Sequence, residues 1–104
     1  MANPHRGEVA FKAGGTEYTL KFSSNAICEL EERLNKSLNV IVTDLERLST
    51  LRALLWAGLR ANMPDVTMAQ AGDIIDQAGI AAATEIIGRA LSAAFPPPSG
   101  DPNA

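Results

Sequence analysis

The chain is poor in the residues that do covalent chemistry. Among 104 residues there is one cysteine, Cys28, and one histidine, His5. A lone cysteine closes no disulfide within the chain, which fits a reducing compartment. One Cys and one His cannot build the usual zinc sites within one chain. A nucleophilic cysteine needs a histidine beside it, and His5 sits in a loose polar lead-in, so Cys28 reads as a small buried hydrophobe. No apolar run approaches the roughly 20 residues of a membrane-spanning helix, and no membrane role is expected. The opening Met1-Ala2-Asn3-Pro4-His5-Arg6-Gly7 lacks the apolar core of a secretory signal, so the chain is expected to stay where it is made. Positive charge is also short. Nine Lys and Arg against twelve Asp and Glu leave a net charge of -3, which argues against nucleic acid as a partner.

The motifs of cofactor and nucleotide chemistry are missing as well. There is no P-loop, no Gly-x-Gly-x-x-Gly, no His-Glu-x-x-His and no Cys-x-x-Cys. Glu29, Glu31 and Glu32 gather in one helix, but with no histidine or second acidic group nearby they read as a solvated face. Two helices joined near Gly79 invite a test as a helix-turn-helix reader. The second offers one arginine and one glutamate among alanines and isoleucines, which gives phosphates and base edges almost nothing to bind. No acid, base and nucleophile assemble into a set. The expectation is a non-enzyme with no catalytic, cofactor-binding or metal-binding residues and no cofactor.

What is present is ordinary globular material: 46% hydrophobic, 20% charged, and short enough for one domain with a modest core. The composition and periodicity predict an α+β domain over residues 8–95. A flexible lead-in precedes it at 1–7, and a disordered Pro-rich tail follows at 96–104, after Pro96-Pro97-Pro98. Val9 and Phe11, then Tyr18, Leu20 and Phe22, alternate with polar or small residues on either side of Gly14-Gly15. That is a β-hairpin over 8–22, with both glycines in a type I′ turn, Phe11 facing Tyr18 and Val9 facing Leu20. A lone hairpin is marginal in water, so its apolar face must pack on the helices or on a third strand from another chain.

Four or five short helices fill 24–95. Ser24 or Asn25 can cap the first, with Ile27, Leu30 and Leu34 inward. Ser37 can cap a second, striped by Leu38, Ile41, Leu45 and Leu48, although β-branched Val40 and Val42 argue that it is short or starts late. Thr67 and Gln70 have capping-box spacing, and Val66 can staple onto Ala71. Met68, Ala71, Ile74, Ile75 and Ala78 then face inward up to Gly79, which fits a left-handed helix end. The last helix carries Ile80, Ala83, Ile87, Leu91 and Ala94, widened by Ile86 and Ala90. Its small residues, Gly88 among them, suit close packing in the core or at an oligomer or partner surface.

The chain is organised around Ser49–Met63. Ser49 or Thr50 caps a helix whose stripe is Leu51, Leu54, Leu55, Gly58, Leu59 and Asn62, stopped by Pro64. Gly58 implies close approach of a neighbouring helix. Arg52, Trp56 and Arg60 recur every four residues on another line. Either Trp56 is core with the arginines laid over it, or the three form a partner-binding face, since Trp and Arg dominate interface hot spots.

Two blocks, Phe22-Ser23-Ser24-Asn25-Ala26-Ile27-Cys28-Glu29-Leu30-Glu31 and Ser49-Thr50-Leu51-Arg52-Ala53-Leu54-Leu55-Trp56-Ala57-Gly58-Leu59, carry a family resemblance. Gly7-Glu8-Val9, Tyr18-Thr19-Leu20 and Ala71-Gly72-Asp73-Ile74-Ile75 extend it. The chain resembles the small tail proteins of alphaproteobacterial gene transfer agents and related phages, described both as tail tube protein and as tail assembly chaperone. The resemblance spans about Gly7 to Phe95. It implies a role in tail morphogenesis, with tape-measure and major tail proteins as partners and with no catalytic residue, metal or nucleotide. A helical domain with two strands suits a cytoplasmic chaperone that holds the tape measure soluble. The alternative is a structural tail component retained in the particle. Self-association into a homo-oligomer stays open under both.

Overall fold

Alternation of apolar and polar residues around a glycine pair builds the first element. The computed structural model describes residues 7–95. The expected Pro-rich tail, His5 and all of the expected lead-in but Gly7 lie outside the described residues. Strands β1 (Glu8–Ala13) and β2 (Thr16–Lys21) pair antiparallel, with Phe11 opposite Tyr18 and Val9 opposite Leu20. Gly14 and Gly15 turn the chain at φ of 58° and 81°, a region that L side chains avoid. The Phe11 and Tyr18 rings stack at 5.5 Å. Val9, Phe11, Ala13, Leu20 and Phe22 are buried and Tyr18 is half-buried.

Five helices follow: α1 (Ser24–Leu34), α2 (Leu38–Val42), α3 (Leu48–Leu59), α4 (Met68–Ala78) and α5 (Ile80–Ala94). The hairpin lies across α3, α4 and α5, so the helices cover its apolar face. Helix α3 packs against β2, α1, α4 and α5 and is the centre of the fold. From Thr50 to Leu59 every residue but Arg52 is buried. A helix that is apolar nearly all round belongs inside a core. Its glycine is required by the hairpin, not by a helix as the sequence suggested. A Cβ on Gly58 would lie 3.1 Å from Leu20 Cδ2 and 3.1 Å from Phe22 Cζ.

The boundaries of α3 differ from expectation at both ends. It starts at Leu48 after Arg47, with no side-chain cap, and neither Ser49 nor Thr50 caps it. The Thr50 hydroxyl instead donates sideways to Asp44 Oδ2 at 3.2 Å. Far from reaching Pro64, the helix ends at Leu59, whose carbonyl accepts from both Asn62 N–H and Met63 N–H, winding the chain into a turn. Asn62, expected on the stripe, is therefore exposed.

The cap of α1 is Ser23, whose hydroxyl accepts from Ala26 N–H at 3.1 Å, one residue before the expected Ser24. Ser37 caps α2. That helix is short, because successive tight turns from Thr43 to Arg47 replace the α pattern, with the Thr43 hydroxyl donating to the Val40 carbonyl. The expected Leu38–Leu48 stripe is thereby broken. Ile41 is buried, Leu38 and Leu45 are half-buried, and Leu48 is exposed on the first turn of α3. Both halves of the Thr67–Gln70 capping box form, at 2.9 and 3.1 Å.

Three side-chain expectations are corrected. Cys28 is exposed, because Ile27 and Leu30 fix the inward face of α1 and the residue beside Ile27 points elsewhere. Gly79 has positive φ, but at ψ 145° it is extended and not left-handed helical; it joins α4 directly to α5. Gly88 marks no close approach, since a Cβ there would meet nothing within 4 Å.

Candidate functional site

Arg52 and Trp56 on α3, with Arg60 just past its end, fall along one line, but the fold sends them to different surroundings. Trp56 is 6% exposed. Its Nε1–H donates to the Val66 carbonyl at 3.1 Å, tying α3 to the segment before α4. The guanidinium of Arg33, from α1, lies 4.6 Å from the ring centroid, and that of Arg60 lies 4.9 Å away. Arg60 also pairs with Glu29 of α1. Trp56 thus fastens α1, α3 and the Val66 segment together, with two cations over its ring. Arg52 stands apart from that cluster. Its Cδ approaches α4, where a Cβ on Gly72 would sit 3.4 Å from it.

Arg52 belongs instead to a surface groove of three adjoining hollows. The first, about 330 Å³, is lined among others by Arg33, Lys36, Ile41, Asp44, Arg47, Arg52 and Ala53. Sharing Ser49 and Arg52 with it, the second, about 470 Å³, runs along α4 past Gly72, Asp73, Ile75 and Asp76. The third, about 310 Å³, lies between Leu45, Glu46, Leu51, Ile80 and Thr84. Leu48 lines both the second and the third. Leu48 is 54% exposed and Ile80 60% exposed, so two large apolar side chains stand in water at one end of the groove.

A family model described as phage tail tube protein, GTA-gp10, matches residues 6–96, nearly the whole chain. The chain belongs to that family. No curated protein and no solved structure matches it. The groove of this tail-family protein therefore has to be read from its own residues.

Asp44 is the hinge of the groove's first hollow. Partial desolvation raises its pKa, but hydrogen bonds from Arg47 Nε at 3.0 Å and from Thr50, with the charges of Arg47 and Lys36, outweigh this. The net effect holds the Asp44 carboxyl below the ordinary carboxylate value. It stays ionised at neutral pH and fixes the turn that presents Leu48. Among the described residues, no group of three or more His, Cys, Asp and Glu is placed to hold a metal ion, and no helix is long and apolar enough to cross a membrane.

Of the residues lining this groove, the four-residue spacing names Arg52 but not Leu48 or Ile80. Period alone places both on inward stripes. The signal available was their position. Leu48 falls just before the Ser49-Thr50 break and Ile80 just after Gly79, where the stripe of a neighbouring element no longer dictates direction.

Proposed function

We propose that this tail-family protein is a non-catalytic assembly chaperone that shields an apolar segment of the tape-measure protein while the tail tube polymerises around it. The observation that carries this reading is the groove beside α3, with Leu48 and Ile80 exposed at its rim. Grooves between helices take amphipathic segments by burying apolar anchors, and unpartnered apolar side chains gathered in one place mark such sites. Of the Arg52, Trp56 and Arg60 trio, Arg52 touches the partner, while Trp56 and Arg60 hold the α1–α3 junction from beneath. The protein works in the bacterial cytoplasm during assembly and is not a catalyst.

A second reading, a tail-tube component retained in the particle, is favoured by the family's own description. The described residues hold one two-stranded sheet. Closing a tube from such subunits would require strand pairing with the major tail protein or with copies of this chain. The test is co-production of the chain with the tape-measure protein and recovery of the complex. Wild type is expected to keep the tape measure soluble and bound, and Leu48→Asp to release it while still folded. A tape measure that never co-purifies, with major tail protein recovered instead, overturns the chaperone reading.

A further inference from the structure

The first two hollows of the groove differ in sign. Around the first hollow stand Arg33, Lys36, Arg47 and Arg52, four of the chain's nine cationic residues although the chain is net acidic. The one acid lining that hollow, Asp44, is already engaged by Arg47 and Thr50. Arg33, Lys36 and Arg52 have no ion-pair partner among the described residues. Along α4 the sign reverses, with exposed Asp73 and Asp76 lining the second hollow. Beyond this acidic wall, where the second hollow meets the third, stand the exposed apolar side chains of Leu48 and Ile80.

We infer that the groove binds a partner protein segment in one direction only: acidic residues of the segment over Arg33, Lys36 and Arg52, basic residues over Asp73 and Asp76, apolar residues against Leu48 and Ile80. The inference rests on the chaperone reading and specifies the chemistry and polarity of what that chaperone holds. Apolar burial at Leu48 and Ile80 supplies attraction without direction. The two charged hollows supply direction, since a reversed segment would set acid on acid and base on base. A second copy of this chain is a poor occupant. Its one dense acidic run, Glu29, Glu31 and Glu32 on α1, has its apolar neighbours Ile27 and Leu30 committed to the core.

The test uses the intact 104-residue chain and overlapping 20-residue peptides that cover the tape-measure and major tail proteins, with binding read by fluorescence anisotropy. The expected binders share an acidic–basic–apolar order, and their affinity falls as salt rises. Arg52→Glu is expected to weaken them at least tenfold, and a peptide with its acids changed to lysine to recover affinity for that variant. Lys12→Glu, on the hairpin, is expected to leave affinity unchanged. Binders with no common charge order, or binders indifferent to Arg52→Glu, overturn the inference and leave the chaperone reading standing. A wild-type chain that binds no tape-measure peptide overturns the chaperone reading and the inference with it. Self-association that Leu48→Asp abolishes, with no peptide bound, assigns the groove to a second copy and also overturns it.

Discussion

Trp56→Phe removes one hydrogen bond and one ring from the junction of α1, α3 and the Val66 segment, and its effect can be estimated term by term. The Val66 carbonyl accepts the Trp56 Nε1–H at 3.1 Å in a buried setting. Left without its donor, a buried carbonyl costs about 1–3 kcal/mol. The vacated volume, about 40 Å³, adds about 1 kcal/mol at the usual rate for core cavities. Arg33 and Arg60 sit over the ring, and the weaker pull of a phenyl ring on each removes about 0.5 kcal/mol or less. The sum is about 2–5 kcal/mol. For a domain of this size that lowers Tm by about 10–30 °C. Thermal melting followed by circular dichroism, with urea titration beside it, reads the change as a lower midpoint at unchanged slope. Trp56 is the sole tryptophan, so wild-type fluorescence gives an independent check: emission should be blue-shifted in the folded state and move red on unfolding. A loss under about 0.5 kcal/mol, or a native emission typical of indole in water, refutes a core role for Trp56. A folded Trp56→Phe protein that no longer captures its partner would put the ring at the interface after all.

Other perturbations follow from single features. Gly88→Ala is expected to stabilise by up to about 1 kcal/mol from helix propensity, since nothing lies within 4 Å of the new Cβ. Gly58→Val gains the same propensity in part but drives branches into Leu20 and Phe22, already 3.1 Å from the Cβ position, and is expected to lose about 1–3 kcal/mol or more; equal effects of the two changes in urea titration would contradict the packing described. Thr67→Ala removes the hydroxyl that accepts from Gln70 N–H at the start of α4 and should cost about 1 kcal/mol, read from the same titration. Asp44 has a depressed folded pKa, so its ionised form stabilises the fold above the unfolded value of about 4 and that contribution is lost as pH falls through the folded pKa. The stability gap between wild type and Asp44→Asn should therefore be full at pH 7 and close under acid, and a gap independent of pH would rule the carboxylate's role out.

The hairpin was legible because period two on both sides of Gly14-Gly15 has one sensible pairing. The α4 start was legible because Thr67 and Gln70 each have one obvious use for their side chains. Helix α3 was found as the centre, but its apolar stripe understated the burial: Ala53, Trp56 and Ala57 lie off the stripe and are covered because β2, α1, α4 and α5 all pack on α3, which is a tertiary fact. The misses share a cause. Ser49 and Thr50 looked like caps, and only the position of Asp44 diverts the Thr50 hydroxyl. Leu48 looked like the end of one stripe until turns at Thr43–Arg47 moved it onto the next helix. Ile80 kept the period of α5 but stands at its first turn, beyond the elements that cover the rest. The candidate site was thus half visible: Arg52 was named from spacing, whereas the groove it lines depends on where α4 and the α2–α3 turn lie.

The central claim, a chaperone that acts on the tape measure and then leaves, meets its most direct test in the composition of finished particles. Quantitative mass spectrometry of purified tails should find the tape-measure and major tail proteins in fixed ratio and this chain far below one copy per tail. Its presence in constant stoichiometry with the major tail protein would contradict the account and make it a structural part of the tail.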